Sequence, residues 1–174
     1  LKRMDLTSES ASQTLKEFLE LVDGDPALLP VGEKIVYGEL PNDVTVYPME
    51  SAIEVLDFLK ANYQLALVSI GKPHLQLLKM KNAGLDSTIF SKIVISERED
   101  KKTSYEEVLE TLNAVPNKTV VCGDRVKRDL TPAKELGCKT IQMQWGRGLS
   151  SKPSADVDFT IRRLSQIQEI IEGL

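Results

Sequence analysis

Short apolar runs alternate with amphipathic segments along the chain from residue 65 onward. The four runs, which we interpret as β-strands, are Leu65–Val68, Ile93–Ile95, Thr119–Cys122 and Thr140–Met143. Strands that alternate with helices are typical of parallel β-α-β units, and continuous apolar strands are typical of a sheet covered on both faces. The pattern therefore predicts an α/β fold with a parallel, Rossmann-like sheet sandwiched by helices.

The helical segments between these strands have recognisable starts and ends. Pro73 suits the first turn of a helix that ends before Gly84, and Ser104 opens a helix with capping-box spacing. A further helix follows Gly123 and Asp124. The last predicted helix is amphipathic, with apolar positions at Ile161, Leu164, Ile167, Ile170 and Ile171.

The first part of the chain follows a different pattern. A helix is predicted over 14–22, and another over 51–61. The stretch between them is rich in proline and is predicted to be loop, through Pro30, Pro41 and Pro48. We therefore predict two units: residues 1–43 are the remnant of a separate helical cap, and residues 44–174 are the α/β core.

Composition narrows the classes of function. The 22 basic and 26 acidic residues give a net charge of −4, with no long run of either sign, so a nucleic-acid-binding face is not expected. No apolar stretch approaches the roughly 20 residues that span a membrane. Two cysteines are too few to indicate a zinc site, and a reducing, cytoplasmic compartment is predicted. The sequence leaves the oligomeric state open.

Residues at strand ends are the candidates for a site, because ligands of parallel sheets bind beyond the carboxyl ends of the strands. Ser69 follows the first apolar run, and Lys101 and Lys102 follow the second. Asp124 follows the third, with Asp129 five residues later. Each feature alone is common in turns and helix caps, so the prediction depends on their joint order.

In this order, the features resemble the later motifs of the HAD (haloacid dehalogenase-like) superfamily. The segment Leu67-Val68-Ser69-Ile70-Gly71 is similar to its apolar strand ending in Ser or Thr. The segment from Val120 to Asp129 is similar to its acidic G-D-x-x-x-x-D motif, and the lysine pair stands where the family has a lysine. The resemblance covers residues 44–174 and is closest to capped small-molecule phosphatases.

The resemblance implies a hydrolase that is a Mg²⁺-dependent phosphatase of a small phosphorylated metabolite. Ser69 and Lys102 would be catalytic and, together with Gly71, would bind the substrate. Asp124 would be the direct Mg²⁺ ligand, and Asp129 a supporting ligand or a partner of the ligands. Lys102 is preferred to Lys101 because it lies nearer the predicted helix start. Sugar phosphates, nucleoside monophosphates and phosphoglycolate-like acids all fit as substrates.

The family's first motif, D-x-D-x-[TV] after an N-terminal strand, supplies the aspartate that attacks phosphorus. Asp156-Val157-Asp158-Phe159-Thr160 matches its letters, but no apolar strand precedes it. We therefore expect the nucleophile segment upstream of Leu1 in a longer protein. Its strand would lie between the strands ending at Ser69 and Cys122, and the chain as given would be inactive and poorly stable. The alternative is a catalytically inactive HAD-like binding or regulatory module.

Overall fold

The computed structural model describes residues 8, 10–39, 41, 43–97, 100–150 and 152–174. Its helices are α1 (Ala11–Leu21), α2 (Leu29–Tyr37), α3 (Ala52–Asn62), α4 (Pro73–Asn82), α5 (Lys101–Thr111), α6 (Thr131–Glu135) and α7 (Gln166–Glu172). Its strands are β1 (Ala66–Ile70), β2 (Lys92–Ser96), β3 (Val120–Gly123), β4 (Lys139–Met143) and β5 (Phe159–Ile161). The predicted α/β class is confirmed.

All strand pairs within the described part of the chain are parallel, and they form two sheets. One sheet has the order β1-β2, and the other has the order β3-β4-β5. Val68 of β1 and Val121 of β3 pack against the same buried cluster, formed by Tyr105, Ala133 and Cys138. The two sheets therefore part between β1 and β3, the position at which the sequence analysis expects a further strand.

Helices cover both faces of the three-stranded sheet. On one face, Ile141 and Met143 of β4 pack with Val55 of α3 and Ile167 of α7. On the other face lie α5 and α6, which contribute the cluster that includes Tyr105. Ile141 and Thr140 of β4 are fully buried on opposite faces. This arrangement makes β4 the centre of the core and leaves the end of β3 beside the break.

Three element boundaries differ from the sequence prediction. The proline-rich stretch contains helix α2, because Pro30 occupies its first turn, where a missing N–H breaks no helical bond. Helix α5 begins at Lys101 rather than Ser104, since the Asp100 carboxylate accepts the Lys102 backbone N–H and caps the helix. Ile161 belongs to strand β5, so the last helix begins only at Gln166.

Helices α1 and α2 pack against each other as a hairpin. The Tyr37 hydroxyl accepts the Ser12 backbone N–H at 3.0 Å, which joins the end of α2 to the start of α1. Beyond α2, Glu39 pairs with His74 of α4 at 2.9 Å. The division of the chain at residue 43 stays a prediction, and residues 1–7, 9, 40 and 42 of the predicted cap remnant lie outside the described residues.

Within the described ranges, the helices are all too short or too polar to cross a membrane.

Candidate functional site

A cleft of about 650 Å³ opens beside the carboxyl ends of β1 and β3, where the two sheets part. Core residues form one wall, and residues of α1 and α2 form the other. The charged residues that line the cleft are Lys72, Lys79, Glu97, Lys101, Asp124, Arg125, Arg128 and Asp129. Five are basic and three are acidic, so the cleft is positive in a protein of net charge −4 and favours anionic ligands.

The turn after β3 carries both predicted metal-binding aspartates. Asp124 directly follows Gly123, the last residue of β3, and the chain then forms one π-helical turn, Val126–Leu130. Within this turn the Asp129 N–H donates to the carbonyl of Arg125 at 2.8 Å. Widened helical turns of this kind are frequent at functional sites. Here the turn brings Asp129 back beside the end of the strand.

Gly123 allows this close approach because it has no side chain. A β-carbon on Gly123 would lie 2.6 Å from Cβ and 2.8 Å from Oδ2 of Asp129, both closer than real contacts allow. The glycine of the predicted G-D-x-x-x-x-D motif therefore has a steric role. It lets the second aspartate pack directly on the strand.

Asp129 is buried, and both of its carboxylate oxygens are engaged. Lys101 Nζ lies 2.8 Å from Oδ1, and the Arg125 backbone N–H donates to Oδ2 at 3.0 Å. The Lys101 side chain is 14% exposed and that of Asp129 is 8% exposed, so the pair is largely removed from solvent. Asp129 therefore orients the ammonium group of Lys101 at the base of the cleft.

Asp124 is the more available of the two carboxylates. Burial raises the pKa of Asp124, and the negative charge of Asp129 raises it further, although Arg125 opposes this. A cation beside Asp124 would relieve both effects. No cluster of three or more potential metal ligands occurs among the described residues. One or two carboxylates suit Mg²⁺, because this ion keeps several waters and also binds substrate phosphate.

The structure places Lys101, and not Lys102, at the aspartates. The sequence favours Lys102 because it predicts a helix start at Ser104. Because α5 begins at Lys101, both lysines lie in its first turn and point in different directions. Lys102 Nζ instead pairs with Glu135 of α6 at 2.8 Å on the protein surface, and this partner raises the pKa of Lys102.

Ser69 and Gly71 lie at the end of β1, across the break between the two sheets from Asp124. Gly71 lines the cleft and has a φ of 139°, a conformation that favours glycine. Its N–H donates to the carbonyl of Ser96 at 2.9 Å, which joins the loop to β2. Ser69 is partly buried, and Ile70 rather than Ser69 is among the residues that line the cleft. The geometry brings together Gly71, Lys101, Asp124 and Asp129.

Two contributions to the site were missed in the sequence. Tyr105 donates a hydrogen bond to the Asp129 carbonyl, and only its spacing of four residues from Lys101 on a helix could have indicated this. The loop after β4 also supports Asp124, since a β-carbon on Gly148 would lie 2.7 Å from the Asp124 carbonyl oxygen. This loop contact joins segments distant in sequence, and no local pattern indicates it.

Cys122 is the cysteine closest in sequence to the aspartates, and its surroundings favour the protonated thiol. Burial, together with the charges of Asp129 and Asp124, raises the pKa of Cys122 to about 12. Part of its surface nevertheless opens at the unpaired edge of β3. A protonated thiol is a poor nucleophile, so Cys122 does not compete for the role of attacking group.

The carboxylates of Asp156 and Asp158, which match the letters of the D-x-D-x-[TV] motif, have structural contacts away from the cleft. Asp156 Oδ2 accepts from the Thr131 hydroxyl at 2.6 Å. Asp158 Oδ2 accepts from the Thr140 backbone N–H at 2.9 Å, and its other oxygen pairs with Lys134. Both residues precede β5, so they lie at the amino edge of a parallel sheet whose carboxyl edge carries Asp124. They are not placed to attack a phosphate there.

Replacing Asp158 by asparagine is expected to lower stability by about 1–2 kcal/mol at neutral pH, because the charge paired with Lys134 is lost. Lys134 and the Thr140 hydrogen bonds depress the pKa of Asp158 from its ordinary value of 3.8. The ionised group therefore stabilises the fold above that value, and this contribution disappears as the pH falls through the depressed pKa. Thermal unfolding of both proteins from pH 7 to about pH 3 should show the difference shrinking.

The matched control is Asp57→Asn, since Asp57 is exposed and pairs with Lys60 of the same helix. If the difference in thermal stability between Asp158→Asn and the unchanged protein stayed constant with pH, the stabilising role of the ionised Asp158 would be contradicted.

Comparisons with known proteins agree with this geometry. The sequence model of the haloacid dehalogenase-like hydrolase family matches residues 3–143. A glyceraldehyde 3-phosphate phosphatase of Pyrococcus furiosus is 27% identical over 124 residues, which are 68% of this chain and 51% of that protein. A protein of the same name from Methanocaldococcus jannaschii is 26% identical over 179 residues, 97% of this chain and 77% of that protein. The chain thus spans about half the length of the Pyrococcus protein.

Solved structures show the same fold. A HAD-type hydrolase of Bacillus subtilis, bound to magnesium, superposes with a TM-score of 0.65 and 18% sequence identity. The match covers 92% of this chain and 78% of that one. At this level of identity the likeness is evidence for the architecture alone.

Proposed function

Because the chain belongs to the haloacid dehalogenase-like hydrolase family, we propose that it contributes the metal and phosphate site of a Mg²⁺-dependent phosphoric monoester hydrolase. The observation that carries the proposal is the buried Lys101–Asp129 pair beside Asp124 at the carboxyl end of β3. The arrangement combines a fixed cation for a phosphoryl oxygen with a carboxylate available to a metal ion. The positive cleft provides the space for an anionic substrate.

The proposed substrate is a small phosphorylated metabolite. Two relatives are named as glyceraldehyde 3-phosphate phosphatases, which makes a three-carbon sugar phosphate the first compound to test. Residues of α1 and α2, among them Ala11 and Tyr37, line the cleft opposite the core. This position agrees with the proposal that residues 1–43 belong to a cap and residues 44–174 to the core. The two free thiols agree with a reducing, cytoplasmic location.

Each residue at the cleft has a proposed role that follows from its chemistry. Lys101 takes the role first assigned to Lys102 and neutralises charge on the phosphoryl group. On the other side, Gly71 lines the cleft without a side chain, and the hydroxyl of Ser69, two residues before it, is the proposed donor to a phosphoryl oxygen. Asp124 would hold Mg²⁺, with Asp129 supporting it through Lys101 and the Arg125 N–H. When bound, the ion supplies shielding that allows an anionic nucleophile to approach phosphorus.

In the proposed reaction an aspartate carboxylate attacks phosphorus, the alcohol leaves with a proton, and water then hydrolyses the aspartyl phosphate. The only D-x-D-x-[TV] sequence in the chain, from Asp156 to Thr160, lies at the opposite edge of the sheet. This observation favours a second candidate for the chain as given. It would bind Mg²⁺ and a phosphorylated ligand without turnover, as a binding or regulatory module.

Metal removal separates these candidates. We expect Mg²⁺ to change the fluorescence of Trp145, the only tryptophan in the sequence. The residue next to it, Gly146, lies close to Asp124: a β-carbon built on Gly146 would be 3.9 Å from Asp124 Oδ2. Hydrolysis of p-nitrophenyl phosphate and of glyceraldehyde 3-phosphate is then measured with Mg²⁺ and with EDTA. Turnover that EDTA abolishes supports the hydrolase, and Mg²⁺ binding without turnover supports the binding module. If Mg²⁺ changes neither signal nor rate, both candidates are wrong.

A further inference from the structure

We infer that Tyr105 is a positioning residue: by donating its hydroxyl hydrogen to the Asp129 carbonyl, it holds the turn that presents Asp124 to the metal. The inference rests on the proposed function, since it assigns Asp124 as the metal ligand. It adds a residue that lies outside the three motifs of the sequence analysis.

The hydrogen bond lies in the interior of the protein. Tyr105 Oη is 3.0 Å from the Asp129 carbonyl oxygen, and the two residues are 7% and 6% exposed. The ring packs with Ala133 and Cys138, which are almost completely buried. Burial raises the pKa of Tyr105, so its hydroxyl stays protonated and remains a donor at any pH the fold survives.

Helix α5 therefore holds Asp129 at two points. Lys101 and Tyr105 are four residues apart, so they lie on one face of the helix, one turn from each other. Lys101 binds the carboxylate of Asp129, and Tyr105 binds its backbone carbonyl. The first contact fixes the side chain and the second fixes the backbone that carries it.

A short path connects this backbone to the metal ligand. Asp129 Oδ2 accepts the N–H of Arg125, the residue that follows Asp124. The Asp129 N–H also donates to the Arg125 carbonyl, so two hydrogen bonds join Arg125 to Asp129. If the Asp129 backbone moves, the peptide group after Asp124 loses its fixed partner, and the carboxylate of Asp124 loses its orientation.

The ring alone does not require a tyrosine. The neighbours of Tyr105 in its cluster are apolar, including Val68 and Leu109, and phenylalanine would fill the same space. A hydroxyl in such surroundings is unfavourable unless it is paired, and the Asp129 carbonyl provides that pair. The hydroxyl of Tyr105 is therefore best explained by its hydrogen bond to the turn that carries Asp129.

The test is Tyr105→Phe, which removes only the hydroxyl. We expect the Kd for Mg²⁺, measured by isothermal titration calorimetry and by Trp145 fluorescence, to rise about tenfold, the lower part of the range for residues that orient metal ligands. Two controls accompany it. Val108→Ala removes buried apolar volume from the same helix without removing a hydrogen-bond donor, and Tyr47→Phe removes an exposed hydroxyl. All titrations are made at a temperature where every variant is folded by circular dichroism.

The titrations distinguish a positioning role of Tyr105 from a purely structural one. Weaker Mg²⁺ binding in Tyr105→Phe, with binding unchanged in Val108→Ala at a similar loss of thermal midpoint, supports the inference. Equal weakening in both variants, or a loss of midpoint alone in Tyr105→Phe, overturns it and leaves Tyr105 a core residue. Absence of Mg²⁺ binding in the unchanged protein contradicts the proposed function itself, and the inference with it.

Discussion

Replacing Lys101 by methionine is expected to lower stability by about 3–5 kcal/mol, because Asp129 is left as a buried, unpaired charge. In a domain of this size the thermal midpoint should fall by roughly 6–20 °C. Any phosphatase activity should fall about 100-fold or more, since the cation that faces the phosphoryl group is gone. Replacing Lys102 by methionine should change the thermal midpoint little, because its pair with Glu135 is on the surface.

The two lysines are adjacent, so each variant is the matched control of the other. Thermal unfolding gives the stability difference, and isothermal titration with inorganic phosphate in the presence of Mg²⁺ gives the loss of phosphate binding. Adding Asp129→Asn to Lys101→Met should recover part of the lost stability, since it removes the unpaired charge. If Lys101→Met and Lys102→Met lost similar amounts of stability and of phosphate binding, the geometry at the start of α5 would not decide which lysine binds the phosphoryl group.

Replacing Asp124 by asparagine is expected to weaken Mg²⁺ binding by roughly 100-fold or more. Mutating a residue that only orients a metal ligand typically weakens metal binding by about 10–100-fold, and Asp124 is proposed to be the ligand itself. The metal-free protein should become no less stable, because the pKa of Asp124 is raised and its charge is therefore unfavourable in the folded state. Calorimetric titration with Mg²⁺ and thermal unfolding in EDTA measure the two effects separately.

This combination of effects is specific to a metal ligand. The control Asp57→Asn, on the surface of α3, should leave Mg²⁺ binding unchanged. An Asp124→Asn protein that binds Mg²⁺ as before would remove the basis for the proposed site. One that loses both binding and metal-free stability would indicate a structural carboxylate instead.

The local sequence determined the architecture because each element is encoded by residues close together in the chain. Short runs of three or four mainly apolar residues predicted four of the described strands, since strands covered on both faces are rich in apolar residues. Glycines such as Gly71 and Gly123 marked the turns at strand ends, where a positive φ or a close contact excludes a side chain. The order of the strand-end residues then indicated the family.

The local sequence failed where two patterns competed for one segment. Ser104 has capping-box spacing, yet Asp100 caps the helix through the Lys102 N–H, so the helix begins a full turn earlier than predicted. Ile161 fits the period of the last helix but pairs in β5, because burial in the sheet outweighed the helical pattern. Pro30 was read as a loop residue although the first turn of a helix accepts it.

The sequence by itself determined which residue types stand at the strand ends, and only the tertiary structure decided which of them meet. Lys101 and Lys102 have the same chemistry, and the direction of each side chain on α5 decides which one reaches Asp129. Tyr105 and the loop around Gly148 support the site through contacts between segments 24 residues apart in both cases. Such contacts depend on how helices pack on the sheet, and no local pattern of residues encodes that packing.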